Sequence, residues 1–336
     1  MLRNTPRHPL YIFMKYVRLT TTDPYYNLAV EEYLFRSADT DIFMLWQNAP
    51  SVIAGRNQNV YAEADLAYAK ENGIRICRRI TGGGAVYHDL GNLNYTFISV
   101  GKEARPLDFA HFARPIRECL ESLGLHTHMS DRNDIECEGG KFSGNAQHAE
   151  GGRILHHGTL LFDTDFSVME RVLRVDKEKL AYRAVKSLRA RVVNLRSVLP
   201  RALSVEEFIA GIEDGVCSLL SAERCAPPEN KEIDALYERN RSPEWIYSDK
   251  RYLTGYRVSR KKKYPFGLVS VEMELSRDKI ERIQFSGDFF STAPIEKLEN
   301  ALIGKTLDAL GGIDPSPYIH GMKSEELCAL LSDHDL

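Results

Sequence analysis

No apolar run in this sequence approaches the length a membrane-spanning helix needs, so no segment reads as a transmembrane span. Charge of one sign is not in excess either. Lys and Arg number 44 against 47 Asp and Glu, a net charge of −3, so no global basic field advertises nucleic acid. That count excludes bulk electrostatic binding only and leaves a local basic patch open. Cysteine is scattered: Cys77, Cys119, Cys137, Cys217, Cys225 and Cys328 include no C-x-x-C pair, which suits neither a zinc site nor a disulfide framework. A reducing cytoplasm is the simplest compartment for such a chain. Internal repeats and low-complexity segments are also missing. The remaining composition, 43% hydrophobic and 27% charged, is that of a soluble globular protein able to form a normal core. At 336 residues the chain fits one large domain plus a smaller one. Met1 to Phe13 hold Arg3, Arg7 and His8 without an acid, a faint organelle-targeting pattern. The simpler reading is an upstream start codon, with Met14 opening the folded part.

Periodicity and turn residues divide the chain. Asp23-Pro24 reads as an N-cap with proline at the first helical position, and Tyr26, Ala29, Val30, Tyr33 and Leu34 recur at helical spacing to about Arg36. Ile42 to Trp46 and Ser51 to Ala54 read as short buried strands, and Ala62 to Asn72 as a helix ended by Gly73. Ile74 to Ile80, Ala85 to Asp89 and Leu93 to Ile98 read as three strands joined by turns, the pattern of an antiparallel meander. A helix face follows at Phe109, Phe112, Ile116, Leu120 and Leu123, with Pro115 as a kink or a late start. Arg153 to Phe162 reads as a strand, and Ser204 with Glu207 as a capping box for a helix to about Ser221. Periodicity stops around Asn240 to Arg251. Beyond it, Leu268 to Leu275 and Ile280 to Ser286 read as paired strands, and Pro294 to Ile303 as a helix. No βαβ rhythm runs through this order. The expected class is therefore α+β, a mixed or antiparallel sheet core with surrounding helices plus a small α+β C-terminal accessory domain. The expected division is 1–246 and 247–336.

Three segments carry chemistry. In Arg79-Ile80-Thr81-Gly82-Gly83-Gly84-Ala85-Val86-Tyr87-His88, three glycines let backbone N–H groups approach a phosphate closely, and Arg79 can offer a charge-assisted pair to phosphate or carboxylate. Strand alternation puts Val86 and His88 on one face. The loop lacks the Gly-Lys-Ser/Thr of a P-loop and the helix that follows a dinucleotide fingerprint. Read alone, a glycine hairpin with solvated arginines explains it equally well. In Gly139-Gly140-Lys141-Phe142-Ser143-Gly144-Asn145-Ala146, a lysine in a flexible loop could stabilise charge developing on a carboxylate and an α-phosphate; an isolated lysine is more commonly a solvated one. In His156-His157-Gly158-Thr159-Leu160-Leu161, adjacent histidines of a strand point opposite ways and cannot share a metal, and Gly158 leaves room for close approach by a ligand or a backbone. Asn133-Asp134 adds an amide and a carboxylate in a loop, where Asp134 could hold magnesium between phosphates.

Together these segments resemble the lipoate–protein ligase family. Its Arg-x-x-Gly-Gly-Gly-x-Val-x-His-Asp-x-Gly-Asn run stands as Arg79 through Asn92, its Lys-x-Ser-Gly as Lys141 through Gly144, and its His-His-Gly-Thr-Leu-Leu as His156 through Leu161. Asn27 through Glu32, Leu45-Trp46, Gly55 through Asn59 and Arg191 through Leu195 match as well, so the resemblance runs from about Met14 to the C-terminus. It implies a fold of the biotin/lipoate protein ligase type, with residues 1–246 catalytic. It implies lipoic acid and ATP as substrates, with Mg2+, and a lipoyl-AMP intermediate. Lys141 would be the catalytic residue. Arg79, Gly82, Gly83, Gly84, Ala85, Val86, Tyr87, His88, Asn92, Asn133 and Thr159 would surround the adenylate with it. Leu28, Trp46, Val86, Ala146 and His157 would form a slot for the acyl chain, joined by Arg79, Gly84, His88, Lys141 and Gly144.

The resemblance also implies partners: lipoyl domains of 2-oxoacid dehydrogenase E2 subunits, the glycine cleavage H protein, or both. No nucleic acid and no membrane are expected, and the expected state is a monomer in the cytoplasm. Arg183, Lys186, Arg189 and Arg191 could steer an acidic carrier, or form a solvated face. A lipoyltransferase that takes premade lipoyl-AMP would show nearly the same motifs. An octanoyl transferase of the superfamily would need a cysteine nucleophile, and no cysteine closely follows the His-His-Gly-Thr strand. A biotin–protein ligase wants a different glycine-rich signature. A non-catalytic lipoate sensor or carrier-binding protein on the same scaffold has no chemical reason to keep Arg79, Lys141 and the glycine loop together.

Overall fold

The computed structural model describes residues 14–101, 105–130, 133–174, 192–247 and 258–332. The basic segment Arg183 to Arg191 lies outside the described residues. In chain order, β1 (Met14–Arg18), α1 (Pro24–Ser37), β2 (Asp41–Trp46) and β3 (Ser51–Ala54) precede two short helices, α2 (Val60–Glu63) and α3 (Leu66–Glu71). Then come β4 (Arg75–Arg78), β5 (Val86–His88), β6 (Asn92–Val100), α4 (Phe109–Ser122) and four strands, β7 (His128–Met129), β8 (Asp134–Cys137), β9 (Gly140–Glu150) and β10 (Arg153–Leu161). α5 (Phe166–Val172), α6 (Val205–Leu220), β11 (Glu223–Cys225), α7 (Lys231–Arg241) and α8 (Pro243–Ile246) complete the larger part. The smaller part holds β12 (Val258–Tyr264), β13 (Gly267–Ser276), β14 (Lys279–Gly287), α9 (Ile295–Leu302) and α10 (Ser324–Ser332).

An eight-stranded mixed sheet, in the order β11-β1-β2-β6-β10-β9-β8-β7, is the main layer. Period-two alternation sorts its side chains between two cores. Phe43, Leu45, Tyr95, Phe97 and Leu160 pack against Phe112 and Ile116 of α4 and Phe208 and Ile212 of α6. The alternate residues Met44, Trp46, Ile98 and Leu155 pack against α1 and against Ile53 and Cys77 of a second, three-stranded sheet. The outer face of that sheet, Val52, Ala54 and Ile76, is covered by α2, α3 and α5. Each fully buried Leu, Ile or Phe here contributes roughly 1.5–3 kcal/mol. Helix α1 starts at the Asp23 cap, whose carboxylate accepts from Tyr25 and Tyr26 backbone N–H groups. It is sandwiched between the two sheets, so even Asn27, Glu31 and Glu32 are buried.

The class and the small C-terminal sheet domain are as the sequence led us to expect, and the Ser204–Glu207 capping box is present. The meander is not. The small sheet has the order β4-β3-β5, with β4 parallel and β5 antiparallel to β3, while β6 sits in the main sheet. A glycine turn between two strands suggests a hairpin, but here residues 79–85 cross the end of β3 to reach its other side. The expected helix over Ala62 to Asn72 is two helices, because Asp65 caps a new start by accepting from Tyr68 N–H. The expected loop around Lys141 is the start of β9, where Gly140 to Gly144 pair with β8 before Asn145 to Glu150 pair with β10. Asp134 likewise opens a strand. Ladder partners overrule the poor strand propensity of glycine and serine there. Pro115 lies inside α4, which runs unbroken from its Asp108 cap.

The smaller part has its own core around Val269, Val271, Phe285, Leu298 and Leu327. It also touches the larger part. Gly83 N–H donates to the Phe289 carbonyl at 3.4 Å, Gly287 N–H donates to the Asn57 carbonyl at 2.9 Å, and the Phe290 and Phe109 ring centroids are 5.1 Å apart.

Candidate active site

Strand register places the polar side chains of the main sheet in rows. Trp46, Asn94 and Thr159 share one row across β2, β6 and β10, and Met44, Thr96, His157 and Ala146 share the next. With Leu28 of α1, Ile53 of β3 and residues 83–86, the Trp46, Asn94, Thr159, His157 and Ala146 members of these rows border a cavity of about 140 Å³. A second cavity of about 320 Å³ adjoins it, with Tyr87, Asp134, Glu136 and Leu161 in its wall. Both are lined by Ala85, Val86, Lys141, Gly144 and Thr159, so they form one cleft with a waist at Lys141.

The glycine loop is held from inside. Arg79 is buried and donates Nε–H to Thr81 Oγ1 at 2.8 Å, Nη1–H to the Ile53 carbonyl at 3.0 Å, and Nη2–H to the Gly82 and Gly84 carbonyls at 2.7 and 2.8 Å. Four of its N–H groups are thus spent on backbone and on Thr81, leaving one of a guanidinium's five for a ligand. Burial lowers its pKa to about 10 despite the Glu31 carboxylate, which acts the other way. Gly83 has φ +87°, a conformation favouring glycine, and its carbonyl oxygen would lie 2.1 Å from a Cβ added at Gly55. Arg78, next in the chain, is also buried and donates to the carbonyls of Gly55, Arg56, Gln58, Trp245 and Ile246. One arginine ties the loop to itself; the other ties its base to α8.

Lys141 is held more lightly. Its ammonium pairs with Asp134 Oδ1 at 2.8 Å, and its side chain is a third exposed. Gly144 makes space for it, since a Cβ there would come within 3.2 Å of Lys141 Nζ. The backbone of Lys141 is bridged to Val192, and Val193 N–H donates to its carbonyl at 2.9 Å.

Two residues that line the first cavity, His88 and Asn94, each carry a buried donor without a partner among the described residues. His88 Nδ1 accepts from Asn48 Nδ2 at 3.1 Å, because Asn48 Oδ1 already accepts from Asn27, so the imidazole proton sits on Nε2, which has no protein acceptor. Asn94 Nδ2 is the second. Burial pushes the His88 pKa down to about 3, with Arg79 and His157 acting in the same direction. The ring is therefore a neutral donor at pH 7, fit to meet a carbonyl or phosphate oxygen rather than to shuttle protons.

Residues 23–216 match the family model of the lipoyl protein ligase A/B catalytic domain, and residues 254–331 that of the bacterial lipoate protein ligase C-terminus. The chain belongs to the lipoate–protein ligase family. It is 35% identical over 323 residues to the lipoate-protein ligase LplJ of Bacillus subtilis, covering 92% of this chain and 97% of that one. Among solved structures, a bi-partite lipoate protein ligase from Thermoplasma acidophilum, described with its E2 lipoyl domain, is 28% identical, with TM-score 0.62, over 73% of this chain and 99% of its own. A lipoate-protein ligase A bound with ATP is 26% identical, with TM-score 0.60, over 70% of this chain and 99% of that chain.

Set against the lipoate–protein ligase motifs, most of the expected residues meet in the cleft. Leu28, Trp46, Arg79, Gly83, Gly84, Ala85, Val86, His88, Asn133, Lys141, Gly144, Ala146, His157 and Thr159 line the first cavity, and Tyr87 and Asp134 the second. Gly82 and Asn92 line neither. Gly82 faces the smaller part, where a Cβ would lie 2.5 Å from the Phe289 carbonyl. Asn92 donates to Asn94 Oδ1 at 2.8 Å and so orients a cavity residue that sequence reasoning missed. The space left by Gly158 is filled by the protein itself: a Cβ there would meet Tyr95 Oη and Asn145 Oδ1 within 2.4 Å. The two histidines do point apart. His157 faces Thr81 and Glu31, while His156 stacks on Phe112 and bonds Gln147 and Asn145. All six cysteines are free and none lines the cleft, which leaves a cysteine-bound acyl intermediate without a nucleophile.

Among the described residues no group of three or more His, Cys, Asp or Glu could hold a metal by itself. Asp134 and Glu136, alternate residues of β8, both face the second cavity. Two carboxylates with room for phosphate fit magnesium, which takes one or two carboxylates and completes its shell with phosphate and water. No described helix is long and apolar enough to cross a membrane.

Proposed function

We propose that this lipoate–protein ligase activates lipoate with ATP as lipoyl-AMP, releasing pyrophosphate, and then transfers the lipoyl group to a lysine of a carrier lipoyl domain. The observation that carries this reading is Lys141 at the waist between a narrow slot with apolar walls and a wider cavity bearing two carboxylates. Leu28, Trp46, Val86 and Ala146 give the aliphatic chain a place to be buried, which supplies most of its affinity. The lipoate carboxylate then lies near Lys141. Its oxygen attacks the α-phosphorus, the bond to the β-phosphate oxygen breaks, and pyrophosphate leaves. The Lys141 ammonium neutralises charge on both the carboxylate and the α-phosphate; Gly84 and His88 border the same space. Asp134 and Glu136 would hold magnesium, which supplies charge neutralisation at the phosphates. In the second step a carrier lysine amine attacks the acyl carbonyl, and AMP leaves.

The reading extends to organisation and partners. Residues 1–246 form the catalytic domain and 247–336 the accessory domain. The carriers are E2 lipoyl domains of 2-oxoacid dehydrogenases, the glycine cleavage H protein, or both. The protein works as a cytoplasmic monomer. The test is lipoate-dependent exchange of labelled pyrophosphate into ATP, with wild type beside Lys141→Ala. Exchange in wild type that falls by roughly 10²–10³-fold in the variant supports adenylate formation through Lys141. No exchange, with transfer still seen from supplied lipoyl-AMP, makes the protein a lipoyltransferase only. Silence in both assays leaves a non-catalytic lipoate-binding protein.

A further inference from the structure

Helix α1 buries two adjacent carboxylates, Glu31 and Glu32, at 1% and 3% exposure. Glu32 is explained by its ion pairs with Arg36 and Arg239. Among the described residues no lysine or arginine forms an ion pair with Glu31; Arg79 feels its charge from a distance. Its oxygens accept from Thr96 Oγ1 at 2.6 Å and from His157 Nδ1 at 2.9 and 3.2 Å. A buried carboxylate is costly unless it is hydrogen-bonded and its charge compensated, so the compensation must come from further off.

It comes along a chain of bonds whose directions can be assigned. At one end Trp46 Nε1–H, a donor only, gives its proton to Thr96 Oγ1 at 3.0 Å. The Thr96 hydroxyl proton is then free for Glu31. At the other end Arg79 Nε–H, also a donor only, gives to Thr81 Oγ1 at 2.8 Å, and the Thr81 hydroxyl lies 2.9 Å from His157 Nε2. If Thr81 donates there, Nε2 is an acceptor and the imidazole proton sits on Nδ1, aimed at Glu31. Both arms then run downhill from a donor-only group to one acceptor-only carboxylate, and every link has one proton. A doubly protonated His157 would make Thr81 Oγ1 accept twice and leave its own proton to be placed elsewhere. The arms end on three side chains that line the first cavity, Trp46, His157 and Arg79.

We propose that Glu31 is a positioning residue: one buried carboxylate that sets the planes of Trp46 and His157 on two sides of the acyl slot and, through Thr81, anchors Arg79 and the glycine loop it organises. Its effect on lipoate rests on the slot assignment made above; its effect on His157 does not. A group that acts by orienting others typically costs about 10–100-fold when it is lost.

The experiment uses the full-length protein labelled with 15N-histidine, free of ligand, the His157 signals being assigned by their loss in His157→Asn. Wild type is expected to show the Nδ1–H tautomer, with Nε2 unprotonated, and Glu31→Gln to lose that pattern. In pyrophosphate exchange, Glu31→Gln is expected to raise the KM for lipoate roughly tenfold or more while the KM for ATP stays within about threefold. If Glu31→Gln does not fold, Thr81→Val cuts the Arg79 arm without removing the carboxylate, and the same split between the two KM values is expected. An Nε2–H tautomer in wild type overturns the relay. So does a Glu31→Gln protein with its tautomer and lipoate KM unchanged. Because the tautomer is read without turnover, an inactive wild type would sink the catalytic reading and leave this one to stand or fall alone.

Discussion

The two walls of the cleft are built on opposite terms. On the glycine-loop side, Arg79 spends four N–H groups on the protein, Gly55 and Gly83 are in backbone contact, and Glu31, His157 and Thr81 close the bonds behind them. On the other side, the Lys141 ammonium is held by one ion pair and is a third exposed. The difference matches two tasks. A slot that selects a chain by shape must not give way, whereas a cation that follows charge from carboxylate to phosphate must be able to leave its resting partner. Removing parts of the first wall should therefore cost stability, and removing parts of the second should cost chemistry.

The largest expected loss of stability comes from Gly55→Ala. Its Cβ would meet the Gly83 carbonyl oxygen at 2.1 Å and the Arg79 guanidinium at 3.3 Å, so either β3 or the loop must shift. Overpacking against fixed backbone costs about 1–3 kcal/mol, with the upper end expected here because Arg79 shares the strain. Urea unfolding monitored by circular dichroism gives the number. A loss below about 0.5 kcal/mol, the range of ordinary surface substitutions, would mean the loop yields easily and the first wall is not rigid.

That contact was invisible in the sequence, where Gly55 stood only as part of a matched motif. What was legible followed local rules. Alternation on β10 separated His156 from His157, and Ser204 with Glu207 announced α6. What was not legible depends on partners remote in sequence. β3 takes β4 on one side and β5 on the other, so the glycine turn that reads as a hairpin is a crossing. Gly140 to Gly144 reads as a loop by composition but is strand because β8 pairs with it. β12, Val-Ser-Arg-Lys-Lys-Lys-Tyr, carries too much charge for its alternation to show. Glu31 had a signal, an acid pair inside an apolar helix, but its meaning lies in the bonds to Thr96 and His157.

A smaller effect, and one that depends on pH, tests how closed the first wall is. Burial holds the pKa of His88 at about 3, against 6.5 for an ordinary histidine. Between those values the unfolded chain binds a proton that the folded protein does not. The contribution of His88 is thus fully present above the ordinary value and is lost as pH falls, at about 1.4 kcal/mol per pH unit. By pH 5 that amounts to roughly 2 kcal/mol. His88→Gln, which keeps an acceptor for Asn48, should unfold with a shallower acid slope than wild type, leaving only the contribution of the equally buried His156 and other groups. Equal slopes for the two proteins between pH 7 and 5 would show that His88 is open to water and charges in place.

The smallest effect on stability is expected from Asp134→Asn, and the small size is what sharpens the contrast between the walls. The pair joins a side chain one third exposed to one only 12% exposed. Such partly solvated ion pairs are worth about 0–1 kcal/mol, and an asparagine still offers its Oδ1 to the lysine. The cost should fall on catalysis instead, because the substitution leaves Glu136 as the one carboxylate on that strand facing the second cavity. Half-maximal pyrophosphate exchange should then need about tenfold more magnesium, with the urea midpoint nearly unmoved. A midpoint that drops as far as in Gly55→Ala would show that Lys141 and Asp134 brace the fold, and that the two walls are built alike.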